Sequence, residues 1–241
     1  MSYQPDDLIY EGKAKKIFSV KSEPNLIWQE FKDSFTAFNG EKKATMVGKG
    51  KLNRHIASLI FQKLKENNVP SHWVADSGNI SMITRKLQMI NLEVVVRNAL
   101  AGSTAKKFNI PEGTRLEQPL VEFYYKKDEL GDPFISDEQA MMLKAVRDNG
   151  DLQILKDQAF LVNTVLKDMF DCAGIDLIDF KIEFGYDSQG QILLGDEISP
   201  DSCRLWDKVT HEKMDKDRFR RDLGQVLEMY QEVLNRLMQN Q

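Results

Sequence analysis

Between Asp179 and Asp196 the chain reads DFKIEFGYDSQGQILLGD, and its first half alternates acid, base and acid with apolar residues. On a strand, Ile178, Phe180, Ile182 and Phe184 would share one face, and Asp179, Lys181 and Glu183 the other. With Ser188-Gln189 as a two-residue loop, Lys181 falls opposite Asp196 and Glu183 opposite Leu194, which makes Glu183 and Asp196 diagonal neighbours on one face. Two carboxylates beside one ammonium suit Mg²⁺, a hard cation that takes one or two carboxylates, keeps waters and bridges to nucleotide phosphates, while the lysine holds a phosphate oxygen. A solvated strand face has the same alternation, so spacing alone leaves both readings open.

Three further segments carry charge in patterns that could do chemistry. YEGKAKKIF, Tyr10 to Phe18, sets Lys13, Lys15 and Lys16 around a glycine in a strand-turn context, where backbone can approach a phosphate; a lysine-rich exposed turn looks alike. No P-loop occurs, and GKGKLN at Gly48 lacks the third glycine of a dinucleotide fingerprint. RNALAGSTAKK, Arg97 to Lys107, follows the VVV run, so a guanidinium at a strand end and Ser103-Thr104 at a helix start could hold a phosphate or carboxylate, or serve as an ordinary N-cap. GDEISPDSCRLWD, Gly195 to Asp207, packs four acids and Arg204 into thirteen residues, with Arg204 as a second anion clamp. His55, His72 and His211 have neither metal spacing nor a Ser-His-Asp order, and are read as structural.

Hydrophobic periodicity supplies the elements that must position these groups. LIY, KIFSV and LIWQEF predict an antiparallel meander over 8–31, and Leu52, Ile56, Leu59, Ile60 and Leu64 a helix over 49–66 that covers it. Strands are expected at 79–87 and 92–97, with the crossing between lobes at Leu87 to Leu92. Helices are expected at 137–148 and 151–173, the second ending at Gly174, and a long last helix from about Lys216 with Phe219, Leu223, Val226, Leu227, Tyr230, Leu234 and Leu237 as its core stripe. The Asn39-Gly40 and Gly48/Gly50 positions are compatible with a mobile loop over 33–50.

Composition bounds the function class. The 241 residues suffice for one large domain or two lobes without a disulfide or metal staple. With 33 Lys+Arg against 37 Asp+Glu the formal charge is −4, and no basic arm favours nonspecific nucleic-acid binding. No stretch reaches the roughly 18 apolar residues of a membrane span, and the N-terminus is polar, so a cytoplasmic protein is expected. The two cysteines, Cys172 and Cys203, are too few for a disulfide framework.

Taken together and in this order, YEGKAKKIF, DSFTAFNG, VVVRNALAGS, DFKIEFG and GDEISPDSCRLWDK resemble the signature blocks of the phosphoribosylaminoimidazole-succinocarboxamide synthase (SAICAR synthetase) family, nearly end to end. The resemblance implies a two-lobed α+β fold. Residues 1–88 would form an N-terminal antiparallel-sheet lobe that binds ATP, as in protein kinases, and 89–241 a larger α/β lobe, related to ATP-grasp enzymes, with the substrate and metal site. It implies an ATP-dependent amide-forming ligase of purine biosynthesis, with carboxyaminoimidazole ribonucleotide, L-aspartate and ATP as small-molecule substrates and Mg²⁺ as cofactor. Carried over residue by residue, Lys13, Ala14 and Lys15 would hold ATP phosphates, the stretch Lys86 to Met89 would face adenine, and Lys126, next to Lys127, would form the far wall. Arg97, Ser103 and Arg204 would grip the imidazole nucleotide, with Asp179 on its ring substituents, Lys181 on a phosphate, and Glu183 and Asp196 on the metal. Family members differ in assembly, which leaves room for a homo-oligomer. A small-molecule kinase on the same plan, or an inactive nucleotide-binding protein, would share most of these residues.

Overall fold

The computed structural model of the chain describes residues 3–37 and 40–240, so Asn39 of the 33–50 loop lies outside the described residues. The predicted meander forms as β1 (Pro5–Glu11), β2 (Lys15–Val20) and β3 (Leu26–Phe31), which join β7 (Ser81–Arg85) and β6 (Trp73–Ser77) in an antiparallel sheet ordered β1-β2-β3-β7-β6. Between β3 and β6 lie the hairpin β4 (Ser34–Ala37) and β5 (Lys42–Thr45) and the helix α1 (Lys49–Glu66). α1 ends where Asn68 turns left-handed ahead of Pro70, the stop that the Asn-Asn-Val-Pro run predicts.

Across Lys86-Leu87 the chain passes into a second antiparallel sheet. It is built from β8 (Gln88–Ala99), β9 (Arg115–Tyr125), β10 (Phe134–Ile135), β11 (Ile175–Tyr186) and β12 (Ile192–Gly195) in the order β10-β9-β8-β11-β12. β13 (Cys203–Asp207) pairs with the first half of β11 and β12 with its second half. The helices are α2 (Gly102–Phe108), α3 (Asp137–Met142), α4 (Asn149–Cys172), α5 (Asp217–Arg220) and α6 (Val226–Gln239). α4 starts where the Asp148 carboxylate accepts the Asp151 N–H at 3.0 Å, and Gly174, at φ 68°, ends it.

One apolar core serves both lobes. Ile56, Ile60, Phe61 and Leu64 of α1 belong to the same cluster as Leu155, Val162, Leu166 and Phe170 of α4 and Phe180, Ile182 and Phe184 of β11. Each such side chain contributes about 1.5–3 kcal/mol when fully buried. β11 is thus anchored by its apolar face, with Asp179, Lys181 and Glu183 on the other.

Four expectations are corrected. The β11–β12 loop has three residues, Ser188-Gln189-Gly190, with Asp187 N–H donating to Gln191 O (2.9 Å) and Gly190 at φ 78°; Glu183 therefore pairs with Gly195 and Phe184 with Leu194, one position off the expected register. The pairing of β11 with β13 shifts between Leu177 and Asp179, a bulge that turns Ile178 away from Phe180 into a small cluster with Ala99, Ala101 and Trp206. α3 ends at Met142, where Lys144 goes left-handed at φ 53°. The last helix is broken: α5 stops at Arg220, Asp222, Gly224 and Gln225 all have positive φ, and the Arg218 guanidinium binds the carbonyls of Lys213, Leu223 and Gly224, which leaves Leu223 on the surface. His211 consequently lies in the turn after β13, far in sequence from α6.

Asp215 ties this broken segment to β13, since its carboxylate accepts the N–H of Leu205 (2.8 Å) and of Asp217 (2.7 Å). Burial, with the like charge of Asp217, outweighs those donors and pushes its pKa up to about 7. A folded-state value above the unfolded one means that the folded chain holds the proton longer, so this group's contribution to stability falls as pH rises from about 4 to about 7. Asp215→Asn should lower stability overall yet flatten that fall; thermal melts of both proteins across pH 5 to 8 should show their difference in Tm shrinking as pH rises.

Candidate active site

β11 is the axis of the site, because its register with β8, β12 and β13 decides which charges meet. Lys181 lies 2.6 Å from Glu183, 3.2 Å from Glu93 of β8 and 4.0 Å from Asp196. Glu183 is 3% exposed and is also ion-paired with Lys126. Asp196, just beyond β12, is paired with Lys15 of β2, whose ammonium also meets Glu197 at 3.0 Å. The register slip does not part Glu183 from Asp196, since Asp196 leaves the strand in a left-handed conformation (φ 55°) that redirects its side chain to the same cluster.

These groups hold one another charged. Burial alone would raise the Asp196 carboxyl, but Lys15 and Lys181 bring it far below the usual carboxylate range. Burial would likewise lower Lys15 and Lys181, and it is outweighed by Asp196 and Glu197 for the first and by Glu183, Glu93 and Asp196 for the second. Three ammoniums, of Lys15, Lys126 and Lys181, thus face four carboxylates, of Glu93, Glu183, Asp196 and Glu197. A polyphosphate binding at this cluster would need the ammoniums for itself, and the carboxylates would then need another cation.

A second cluster adjoins the first on the same face. Asp179 accepts from Arg97 Nη1 at 2.7 Å and from Arg204 Nη1 at 2.8 and 3.1 Å. Arg97 is 4% exposed, and its remaining nitrogens go to Glu122 (2.8 Å) and the Tyr124 hydroxyl (3.2 Å), so all of its nitrogens are engaged inside the protein. Arg204 gives Nε to Asp217 (3.1 Å), while Nη2 has no acceptor among the described residues. Gly102 holds φ 61°, strained for any other residue, and a Cβ there would stand 2.6 Å from that Nη2 and displace it, so glycine suits the close approach of the start of α2, with the exposed Ser103, to the guanidinium. No side chain caps α2, whose N-cap is Ala101, so Ser103 and Thr104 are not there as a cap.

At the other end, Lys13 is exposed on the β1–β2 turn and reaches Asp128 at 2.7 Å, beyond β9. Ala14 O accepts the Lys32 N–H, and the Lys86 N–H goes to Asn25 O at 2.8 Å, leaving the Lys86 side chain on the surface. Leu87 and Met89 lie over Gly185 and Gly195, where a Cβ would come within 2.8 Å of Leu87 and 3.3 Å of Met89. The two glycines let the segment between the sheets pass close over β11 and β12. Of the adjacent lysines, Lys126 turns to Glu183 and Lys127 to Glu129.

Several participants escape the sequence reading. Glu197 and Asp201 were visible only as acid density after Gly195. Lys49, read as part of an amphipathic helix, is 1% exposed and ion-paired with Asp201, which also accepts from the Tyr230 hydroxyl at 2.7 Å. Glu93, Glu122 and Asp217 carried no signal beyond being acidic. Among the described residues no three His, Cys, Asp or Glu side chains form a metal-binding group. Cys172 and Cys203 are both free thiols, and among the described residues no helix is long and apolar enough to cross a membrane.

The family model described as SAICAR synthetase matches residues 8–237. The chain is 50% identical over 237 residues to the phosphoribosylaminoimidazole-succinocarboxamide synthase of Bacillus subtilis, covering 98% of each chain, and 52% identical to that of Lysinibacillus sphaericus, covering 95% of this chain and 97% of the relative. Among solved structures, the synthase of Ehrlichia chaffeensis superposes with a TM-score of 0.93 at 42% identity, covering 96% and 98% of the two chains. A SAICAR synthetase in complex with ADP superposes at 0.91 and 45%, covering 95% and 96%. Matching blocks, fold and near-complete coverage agree: the chain belongs to the SAICAR synthetase family.

Proposed function

We propose that this chain is the ligase its family name describes, joining L-aspartate to 5-amino-1-(5-phosphoribosyl)imidazole-4-carboxylate with conversion of ATP to ADP and phosphate, in the cytoplasm. The observation that carries this reading is the pair of adjoining charge clusters on β11. One, around Lys181, has lysines and acids suited to a polyphosphate, and the other, around Asp179, has arginines suited to an anionic nucleotide. A relative of the same fold in complex with ADP supports nucleotide binding by this chain.

The chemistry explains the residue types. A carboxylate is a poor electrophile, so its oxygen first attacks the γ-phosphorus and ADP leaves. The aspartate amine then attacks the acyl carbon, phosphate departs, and the amine loses a proton. In-line phosphoryl transfer asks the protein mainly for positioning and charge neutralisation. In this reading residues 1–88 carry the nucleotide, with Lys13, Ala14 and Lys15 along its phosphates and Lys86 to Met89 at the base. Residues 89–241 carry the acceptor, with Arg204 and Ser103 on its phosphate and Asp179 on its polar substituents. Arg97, whose nitrogens are all engaged, braces Asp179 and Glu122. Lys181 and Lys126 neutralise charge on the transferred phosphoryl group.

The donor set fits Mg²⁺ held jointly with phosphate. The protein brings two convergent carboxylates, Glu183 and Asp196, fewer than a protein-only cage would have, and both are balanced here by lysines that phosphates would draw away. Bound there, Mg²⁺ would supply charge neutralisation on the phosphate oxygens.

Asp196→Asn keeps shape and tolerates the left-handed backbone, so the fold should survive while metal-dependent kcat/KM falls on the order of 10²–10³-fold; near-normal turnover in a steady-state assay would reject the metal role. Arg204→Lys loses the fork geometry and should raise KM for the imidazole nucleotide roughly tenfold or more, with a smaller change in kcat. Product analysis separates ligase from kinase: phosphate release should require L-aspartate and yield an amide, whereas a stable phosphorylated product would favour the kinase.

A further inference from the structure

Arg221 follows directly on α5, in the break that cuts the last helix, and Glu112 lies in the turn between α2 and β9. Although 109 residues apart, they form a bidentate pair, Nη2 on Oε1 at 2.5 Å and Nη1 on Oε2 at 2.9 Å. The pair is not isolated. Glu112 Oε1 also accepts the N–H of Gly102 at 3.0 Å, and Gly102 is the residue that abuts the unengaged Nη2 of Arg204. On the other side, Arg221 Nη2 stands 3.4 Å from Asp217 Oδ2, the same oxygen that takes Arg204 Nε at 3.1 Å. These contacts close a ring from Arg204 through Asp217, Arg221, Glu112 and Gly102 back to Arg204. The charges within it do not balance. Asp217 also meets Arg220 at 2.6 Å and Glu112 also meets Lys213 at 3.7 Å, so four cations share two carboxylates. Asp179, which Arg204 also touches, is shared with Arg97.

We infer that the Glu112 carboxylate stands in for the acceptor's phosphate, and that Arg221 passes from Glu112 to that phosphate when the imidazole nucleotide binds, joining Arg204 and Ser103 as a further recognition group. The inference rests on the reading given above that puts the acceptor's phosphate at Arg204 and Ser103. Three physical points carry it. A guanidinium fork takes a carboxylate or a phosphate with the same two N–H groups, so the exchange preserves its geometry. A phosphate brings more negative charge than the single carboxylate it displaces, which suits a ring with a surplus of cations, and it frees the Gly102 N–H as well. The side chain of Asp217 is 2% exposed and fixed, whereas those of Glu112 and Arg221 are 31% and 36% exposed, so this pair can part without opening the core. The Arg221 hydrogen bond, with the Gly102 N–H and Lys213, outweighs burial and holds the Glu112 pKa down at about 2, so the stand-in is charged at neutral pH.

Such an exchange requires the two halves of one ion pair to act in opposite directions, which a structural pair does not. Titration calorimetry with the imidazole nucleotide tests this in the full chain and in Arg221→Gln, Glu112→Gln and Arg204→Lys. Arg221→Gln should weaken binding roughly tenfold or more, through loss of hydrogen bonds to a charged group. Glu112→Gln should tighten it about two- to fivefold, because the amide still accepts the Gly102 N–H but no longer competes for Arg221. ADP affinity should not change in either, and steady-state kinetics should place the Arg221→Gln effect in KM rather than kcat. Any pattern other than a loss at Arg221 with a gain at Glu112, or an equal shift in ADP affinity, overturns the exchange. Binding that is still weakened in Arg204→Lys then leaves the phosphate reading standing, whereas unchanged binding there removes both. Thermal melts check folding. If a Gln variant does not fold, Arg221→Lys or Glu112→Asp replaces it, the first without the fork and the second too short to hold it, with the same signs expected.

Discussion

Buried charges along one face of β11 are the constraint on which the rest of the site depends. Asp179, Lys181 and Glu183 alternate with Phe180, Ile182 and Phe184, and the apolar three are locked into the core shared with α1 and α4. The strand cannot slide without exposing them, so the charged three are held out of bulk water where they stand. Desolvated charges require partners, and an ion left alone there would cost several kcal/mol. Arg97 and Glu93 come from β8, Arg204 from β13, Asp196 from beyond β12, Lys126 from beyond β9 and Lys15 from β2. The ion pairs thereby gather five separate elements around one strand.

The same pairing explains how a protein with a formal charge of −4 can receive strongly anionic ligands. Its lysines and arginines in these clusters are already charged and already aimed, but they are spent on internal carboxylates rather than on solvent. Binding becomes an exchange of partners instead of a new desolvation of cations. Arg97 and Arg204 show two ends of that scheme: the first has every nitrogen occupied and keeps Asp179 in place, whereas the second retains one nitrogen beside Gly102 and the start of α2.

Much of this was legible before any fold was known. α1 appears over the residues that its apolar spacing indicates, the β1–β2–β3 meander follows its β-prone runs, and α4 ends at the expected glycine. The motif blocks also named Lys15, Lys181, Glu183 and Asp196, and the family resemblance added Lys126; these five converge. The errors share one cause: local pattern does not count loop residues or register. One extra residue in the β11–β12 loop shifted the pairing by one, a bulge at Ile178 redirected one side chain, and left-handed residues at 222, 224 and 225 cut a helix that periodicity alone would continue.

By itself the chain order determined periodicity, charge placement and motif identity, and with them the family, because these depend on which residue follows which. Tertiary structure decided which charges face each other. It put Glu197 and Glu93 into the cluster and buried Lys49 against Asp201. Such contacts join residues up to 182 positions apart, as Lys15 and Glu197 are. Nothing local marks an acidic residue as one that will be desolvated, since its environment is made by the packing of elements it does not belong to.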